Sequence, residues 1–81
     1  MSKAWKKSVV VRLGDPAEDV VIDSTQAAAW AMIEDWPLDE GPALDRALLV
    51  LAAVDAGRQT DDAAREAFVA AAEEAAILLK A

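Results

Sequence analysis

Eighty-one residues carrying a net charge of −7, with 56 % hydrophobic and 28 % charged side chains, define one small acidic domain with room for one core. Cysteine, histidine and tyrosine are absent, which excludes disulfides, thiolate nucleophiles, thiolate metal centres, Ser-His triads and the usual base near neutral pH. No apolar run approaches the ~20 residues of a membrane span, and the valine run near the start is too short for the apolar region of a signal peptide, so a cytoplasmic setting without membrane partners is expected.

The charge is unevenly spread. Lys3, Lys6, Lys7 and Arg12 give +4 over residues 1–12, and residues 13–81 balance to −11. Twenty residues are alanine and only four are aromatic. Small side chains bury little area each, so the core must gain by close backbone approach, and self-association is one common supplement for such a domain.

In chain order, SVVVRL (8–13) is rich in β-branched residues and places Val9, Val11 and Leu13 on one face of a strand. GDPAE (14–18) supplies a turn through Gly14 and Pro16. DVVID (19–23) makes a second strand with Val20 and Ile22 on one face, and the two strands form an antiparallel hairpin. Residues 1–7 are expected to form a basic, flexible leader with Trp5 folded back onto the core.

Asp23 or Ser24 is positioned to cap a first helix running to about Asp35, with Ala29, Met32, Ile33 and Trp36 as its buried stripe. Pro37 ends it. Pro42 opens a second helix, and Gly57 closes it in the left-handed conformation. Between them the polar residues are Asp45, Arg46 and Asp55, so this helix is expected to be central and covered on more than one side. Thr60 caps a third helix whose inner face carries Ala64, Phe68, Ala71, Ala72, Ala75, Leu78 and Leu79. The expected fold is α+β, a two-stranded hairpin followed by three helices in the order β-β-α-α-α.

Three features recur together: the Trp36-Pro37 helix stop followed by Gly41, the stretch GRQTDDAAREAFVAAAEEAAIL (57–78), and the valine-rich hairpin. In them the chain resembles the bacterial family known as domain of unknown function 982, over nearly its whole length. Ala64-Arg65, Phe68 and Ala71-Ala72…Ala75 carry the likeness best. The resemblance implies a fold and a source among rhizobia and related alphaproteobacteria. It implies no activity.

Four sets of residues are candidates for a site. Glu34, Asp35, Asp39 and Glu40 have the oxygen chemistry of a hard-cation site but not the spacing of a calcium loop, and read as a solvated linker. Lys3, Trp5, Lys6, Lys7 and Arg12 interleave bases with an aromatic, as in single-strand nucleic-acid binders, against a strongly acidic body. Trp30, Leu49, Val50 and Ile77 fall at the margins of the apolar stripes and are candidate interface residues. Asp55 projects from the apolar stripe of helix 2 and is expected to be buried and paired with Arg58 or Arg65 as a structural bracket, with Arg65 also facing Asp61.

No catalytic residues, cofactor or metal site is expected. The function these residues support best is a small non-catalytic protein-interaction module that pairs with itself as a homodimer. The alternatives are a carboxylate- and arginine-based ligand- or metal-binding protein or enzyme, and a nucleic-acid accessory protein acting through its basic start.

Overall fold

A computed structural model describes residues 4–81. The elements are β1 (Ala4–Leu13), β2 (Glu18–Ser24), α1 (Thr25–Glu34), α2 (Pro42–Asp55), α3 (Asp61–Glu74) and β3 (Leu78–Lys80). The fold is α+β, with three helices and a three-stranded antiparallel sheet in the order β2-β1-β3. The β-β-α-α-α order therefore describes the first five elements and misses the sixth, because the chain returns to the sheet after α3.

The hairpin follows its side-chain alternation. Val9 pairs with Ile22 and Val11 with Val20, which puts Val9, Val11, Leu13 and Ile22 on the buried face. Gly14 turns the chain at φ +93°, a conformation open to glycine. β1 starts at Ala4, so Trp5, Lys6 and Lys7 belong to the strand rather than to a leader; Met1–Lys3 lie outside the described residues. Between the Ala4↔Ser24 and Val9↔Ile22 pairs, β1 bulges and turns Lys6, Lys7 and Ser8 to solvent. Trp5 is buried, its ring centroid 5.9 Å from that of Phe68.

α3, not α2, is the central helix. It buries Ala64, Ala67, Phe68, Ala71 and Ala72 and packs against α2 on one side and against α1 and the sheet on others. Its alanines let neighbouring backbones approach closely, and Phe68 fills the middle between Trp5 and Trp36. α2 lies at the periphery, burying only Leu44, Ala47 and Leu51, while Leu48 and Leu49 are wet. The stripe of α1 is also rotated from its expected phase. Ala28, Ala31 and Met32 are buried, Trp36 is half-buried against the core, and Ile33 points outward.

Helix ends are set by caps. Ser24 Oγ accepts from Ala27 N–H at 3.0 Å and Thr60 Oγ1 from Ala63 N–H at 3.1 Å. α2 closes as expected: Gly57, at φ +78°, donates to Val54 O, and Arg58 N–H donates to Ala53 O. α3 closes by the same two bonds, from Ala76 to Glu73 O and from Ile77 to Ala72 O, but with alanine in the left-handed position at φ +58°. This reversal stops the helix at Glu74 and delivers Leu78 and Leu79 to β3, where Leu78 pairs with Val11 and Arg12 N–H donates to Ile77 O. Leu78 and Leu79 are therefore strand residues, not part of the α3 face.

Ala76→Gly is expected to stabilise the protein. Left-handed geometry costs an L-residue about 1–2 kcal/mol, and glycine returns about 0.5–1 kcal/mol of that as added unfolded-chain entropy. A net gain of about 0.5–1 kcal/mol should raise Tm by roughly 3–6 °C, read by thermal circular dichroism.

Candidate functional site

An open groove of about 1160 Å³ lies where the start of β1, the start of α1, the end of α2 and the start of α3 meet. Ala29, Leu51, Ala52 and Val54 form its apolar wall, and Lys6, Gln26, Asp55, Gln59, Asp61 and Asp62 supply its polar groups. One side-chain chain of hydrogen bonds fixes its corner. Trp5 Nε1 donates to Thr25 Oγ1 at 3.1 Å, and the Thr25 hydroxyl donates to Asp61 Oδ1 at 2.6 Å. A hydroxyl that both accepts and donates thus ties β1, α1 and α3 together, the second bond having the short length of one to a carboxylate.

Thr25→Val keeps the shape and removes both bonds, leaving a buried indole N–H and a half-buried carboxylate unpartnered. The expected cost is about 1.5–3 kcal/mol in urea unfolding, in the range for removing one partner of a charge-assisted bond. Sequence reading missed this corner because its partners lie 20 and 36 positions from Thr25. No local pattern connects them.

The residues singled out from sequence are dispersed. Glu34, Asp35, Asp39 and Glu40 are all exposed, and among the described residues no three acidic side chains gather as a metal site would require. Trp5 is in the core and cannot offer its face to a nucleic-acid base, while Lys6 and Lys7 are exposed on the bulge. Arg12 pairs across the hairpin with Asp19 at 3.3 Å, the only ion pair among the described residues.

The expected bracket on Asp55 is not made. Asp55 is exposed at the end of α2 because the helix overhangs the groove there. Arg58 is exposed in the following turn, and Arg65 Nε donates to Lys7 O at 2.8 Å instead of meeting Asp55 or Asp61. Arg65 is thus a brace between α3 and the β1 bulge.

Of the four interface candidates, Trp30 and Leu49 are outward-facing, at 67 % and 73 % exposure. Val50 and Ile77 are half-buried against the core, Ile77 because the α3 cap turns it toward β1. Ile33, expected to be buried, is 75 % exposed. It stands three residues from Trp30 and four from groove-lining Ala29, so the three share one side of α1. Leu48 stands four before Ala52 on α2 in the same way. The apolar wall of the groove therefore continues along both helices as an exposed apolar rim.

Three helices packed on a three-stranded antiparallel sheet make this a small α+β domain. Residues 7–79 match the model of the family described as protein of unknown function (DUF982), and the chain is a member of that family. No curated protein and no solved structure matches it.

Proposed function

We propose that the domain is a small non-catalytic protein-interaction module that associates with itself, in a bacterial cytoplasm. The observation that carries this reading is the exposure of Trp30 and Ile33 on α1, a helix that buries Ala28, Ala31 and Met32. Covering a large apolar side chain is worth about 1.5–3 kcal/mol, so a lone copy forgoes a sizeable gain on this helix. Leu48 and Leu49 are exposed on α2 as well, and exposed large apolar side chains of this kind are the material of interfaces.

Edge-to-edge pairing of two hairpins is a poor route to self-association in this fold. β3 covers the second edge of β1 at Val10 and Val11, and the free edge of β2 carries Glu18, Asp19 and Asp23, which would meet like charges in a second copy. Sedimentation equilibrium should show the mass rising above one chain by about 100 µM, the weak-to-moderate range of a small interface. A single-chain mass throughout that range would remove self-association from the proposal.

A second reading rests on the groove, which sets Asp55, Asp61, Asp62, Lys6, Gln26 and Gln59 beside its apolar wall, a lining suited to a small amphipathic ligand. Arg65 and the acids of residues 34–40, which a carboxylate-arginine enzyme would bring there, are not part of it. Ligand-observed NMR against a fragment library tests this reading, which would require competition among hits at one set of groove resonances.

A further inference from the structure

We infer that the groove selects a small organic cation, an ammonium or guanidinium carried on an apolar body, with Asp55 and Asp62 holding the charge and the apolar wall holding the body. This rests on the ligand reading of the groove given above and names the class of ligand. The balance of charge in the lining is the first ground. Asp55, Asp61 and Asp62 share it with a single base, Lys6. Among the described residues the one ion pair joins Arg12 to Asp19, so none of the three carboxylates is paired with a described base. Asp61 is committed in part, since its Oδ1 accepts from the Thr25 hydroxyl. Asp55 and Asp62 are exposed.

The position of Asp55 is the second ground. It is the last residue of α2, where the negative end of the helix dipole disfavours an anion, and α2 has no base in its last turn to offset it. Glu74 stands in the same unfavourable place on α3, but there the carboxylate caps α2. No described ion pair compensates Asp55. A charge set against local stability beside an apolar wall points to a ligand of opposite sign. The N-terminal ends of α1 and α3 also open on the groove and would favour an anion. Ser24 and Thr60 cap them, however, and Asp61 and Asp62 fill the first turn of α3, so the carboxylates prevail.

A metal ion is the poorer match, because among the described residues no three acidic side chains gather to hold one. An organic cation needs no such enclosure. Its body can lie on Ala29, Leu51, Ala52 and Val54 while its charge meets the carboxylates beside them.

Three ligands with one phenyl body separate charge from shape: phenethylamine, phenethyl alcohol and phenylacetate, each titrated into the full chain and followed by backbone amide chemical shifts. The amine should move the amides of Gln26, Asp55 and Asp62 and bind about 5-fold or more tightly than the alcohol, as for two partly exposed carboxylates. Phenylacetate should not bind there, and added NaCl should narrow the advantage of the amine. Asp55→Asn and Asp62→Asn should each weaken the amine by about 2–3-fold and leave the alcohol unchanged. Glu66→Gln, the same change of charge on α3 away from the groove lining, should alter neither.

If the alcohol or phenylacetate binds the groove as well as the amine, the ligand reading stands and selection of a cation is wrong; if no ligand moves the groove resonances, both fail. A Glu66→Gln effect as large as that of Asp55→Asn would reduce the preference to overall charge and overturn the site. Asp55→Asn should also raise the Tm of the free protein by roughly 1–5 °C, because it removes an anion from a helix C-terminus. A lower Tm would mean that Asp55 serves the fold, and would overturn its assignment to a ligand.

Discussion

Phe68→Ala is expected to cost about 3–5 kcal/mol, the range for removing a buried aromatic side chain. A domain of this size has roughly 4–12 kcal/mol of total stability, so the variant should lose a quarter or more of it. Phe68 is fully buried, and two of the three tryptophans lean on it, Trp5 at 5.9 Å and Trp36 at 5.5 Å between centroids, both tilted. Such aromatic pairs add to simple area burial. Its other neighbours on α3 are alanines, which have no side-chain volume with which to refill a cavity.

Phe68→Leu should cost markedly less, about 1–2 kcal/mol, because most of the volume is kept. Urea unfolding followed by far-ultraviolet circular dichroism measures both. A Phe68→Ala variant that unfolds within 1 kcal/mol of the parent would mean that the centre of the core lies elsewhere.

The second large effect is expected at the junction of α2 and α3. Gly41, the N-cap of α2, has no side chain to accept from the first-turn N–H groups, and Glu74 at the end of α3 supplies the acceptors instead. Its carboxylate takes Ala43 N–H at 2.9 Å and Leu44 N–H at 3.1 Å. An anion at a helix N-terminus also meets the positive end of its dipole. Glu74→Ala leaves two donors without partners and should cost about 2–3 kcal/mol, against about 1 kcal/mol for an ordinary cap. Glu74→Gln retains an acceptor without the charge and should fall between. Glu73→Ala, on the exposed side of the same turn, should stay within about 0.5 kcal/mol of the parent.

Gly41→Ala should be comparably damaging for a connected reason. At φ +155°, its Cβ would overlap the Glu74 carboxylate, so the substitution displaces the cap as well as straining the backbone. The two changes should therefore be strongly non-additive in a double-mutant cycle. Additive costs would show that Gly41 matters only for its backbone conformation.

The glycines, prolines and hydroxyl caps were readable in the sequence because their effects are local. Gly14, Gly57, Ser24, Thr60 and Pro42 act within a few residues of themselves. The phase of α1 was not readable. QAAAWAMI is apolar on nearly every side, so its periodicity has little contrast, and fit beneath the sheet turns the alanines inward. Nor did Ala75-Ala76 announce a helix end, since alanine is the strongest helix former and a poor left-handed residue. The reversal is held by the pairing of Leu78 and Ile77 with β1, across more than sixty positions of sequence.

The candidate surface was partly legible. Trp30 and Leu49 stood out as apolar residues off the expected stripes, and both are exposed. The apolar composition of α2 predicts a central helix with Asp55 buried in it. α3 buries the denser set of small residues and takes that position, leaving α2 at the edge with Asp55 overhanging the groove.

Sequence by itself determined the elements whose ends are set by nearest-neighbour chemistry, the inward faces of β1, β2 and α3, and membership of the family. Tertiary structure alone decided which helix is central, which way α1 turns, where Glu74 and Arg65 anchor, and that a strand follows α3. The reason is one of range. Caps, turns and alternation are governed by bonds a few residues long, whereas competition among similar apolar faces is settled only when every face meets its neighbours at once.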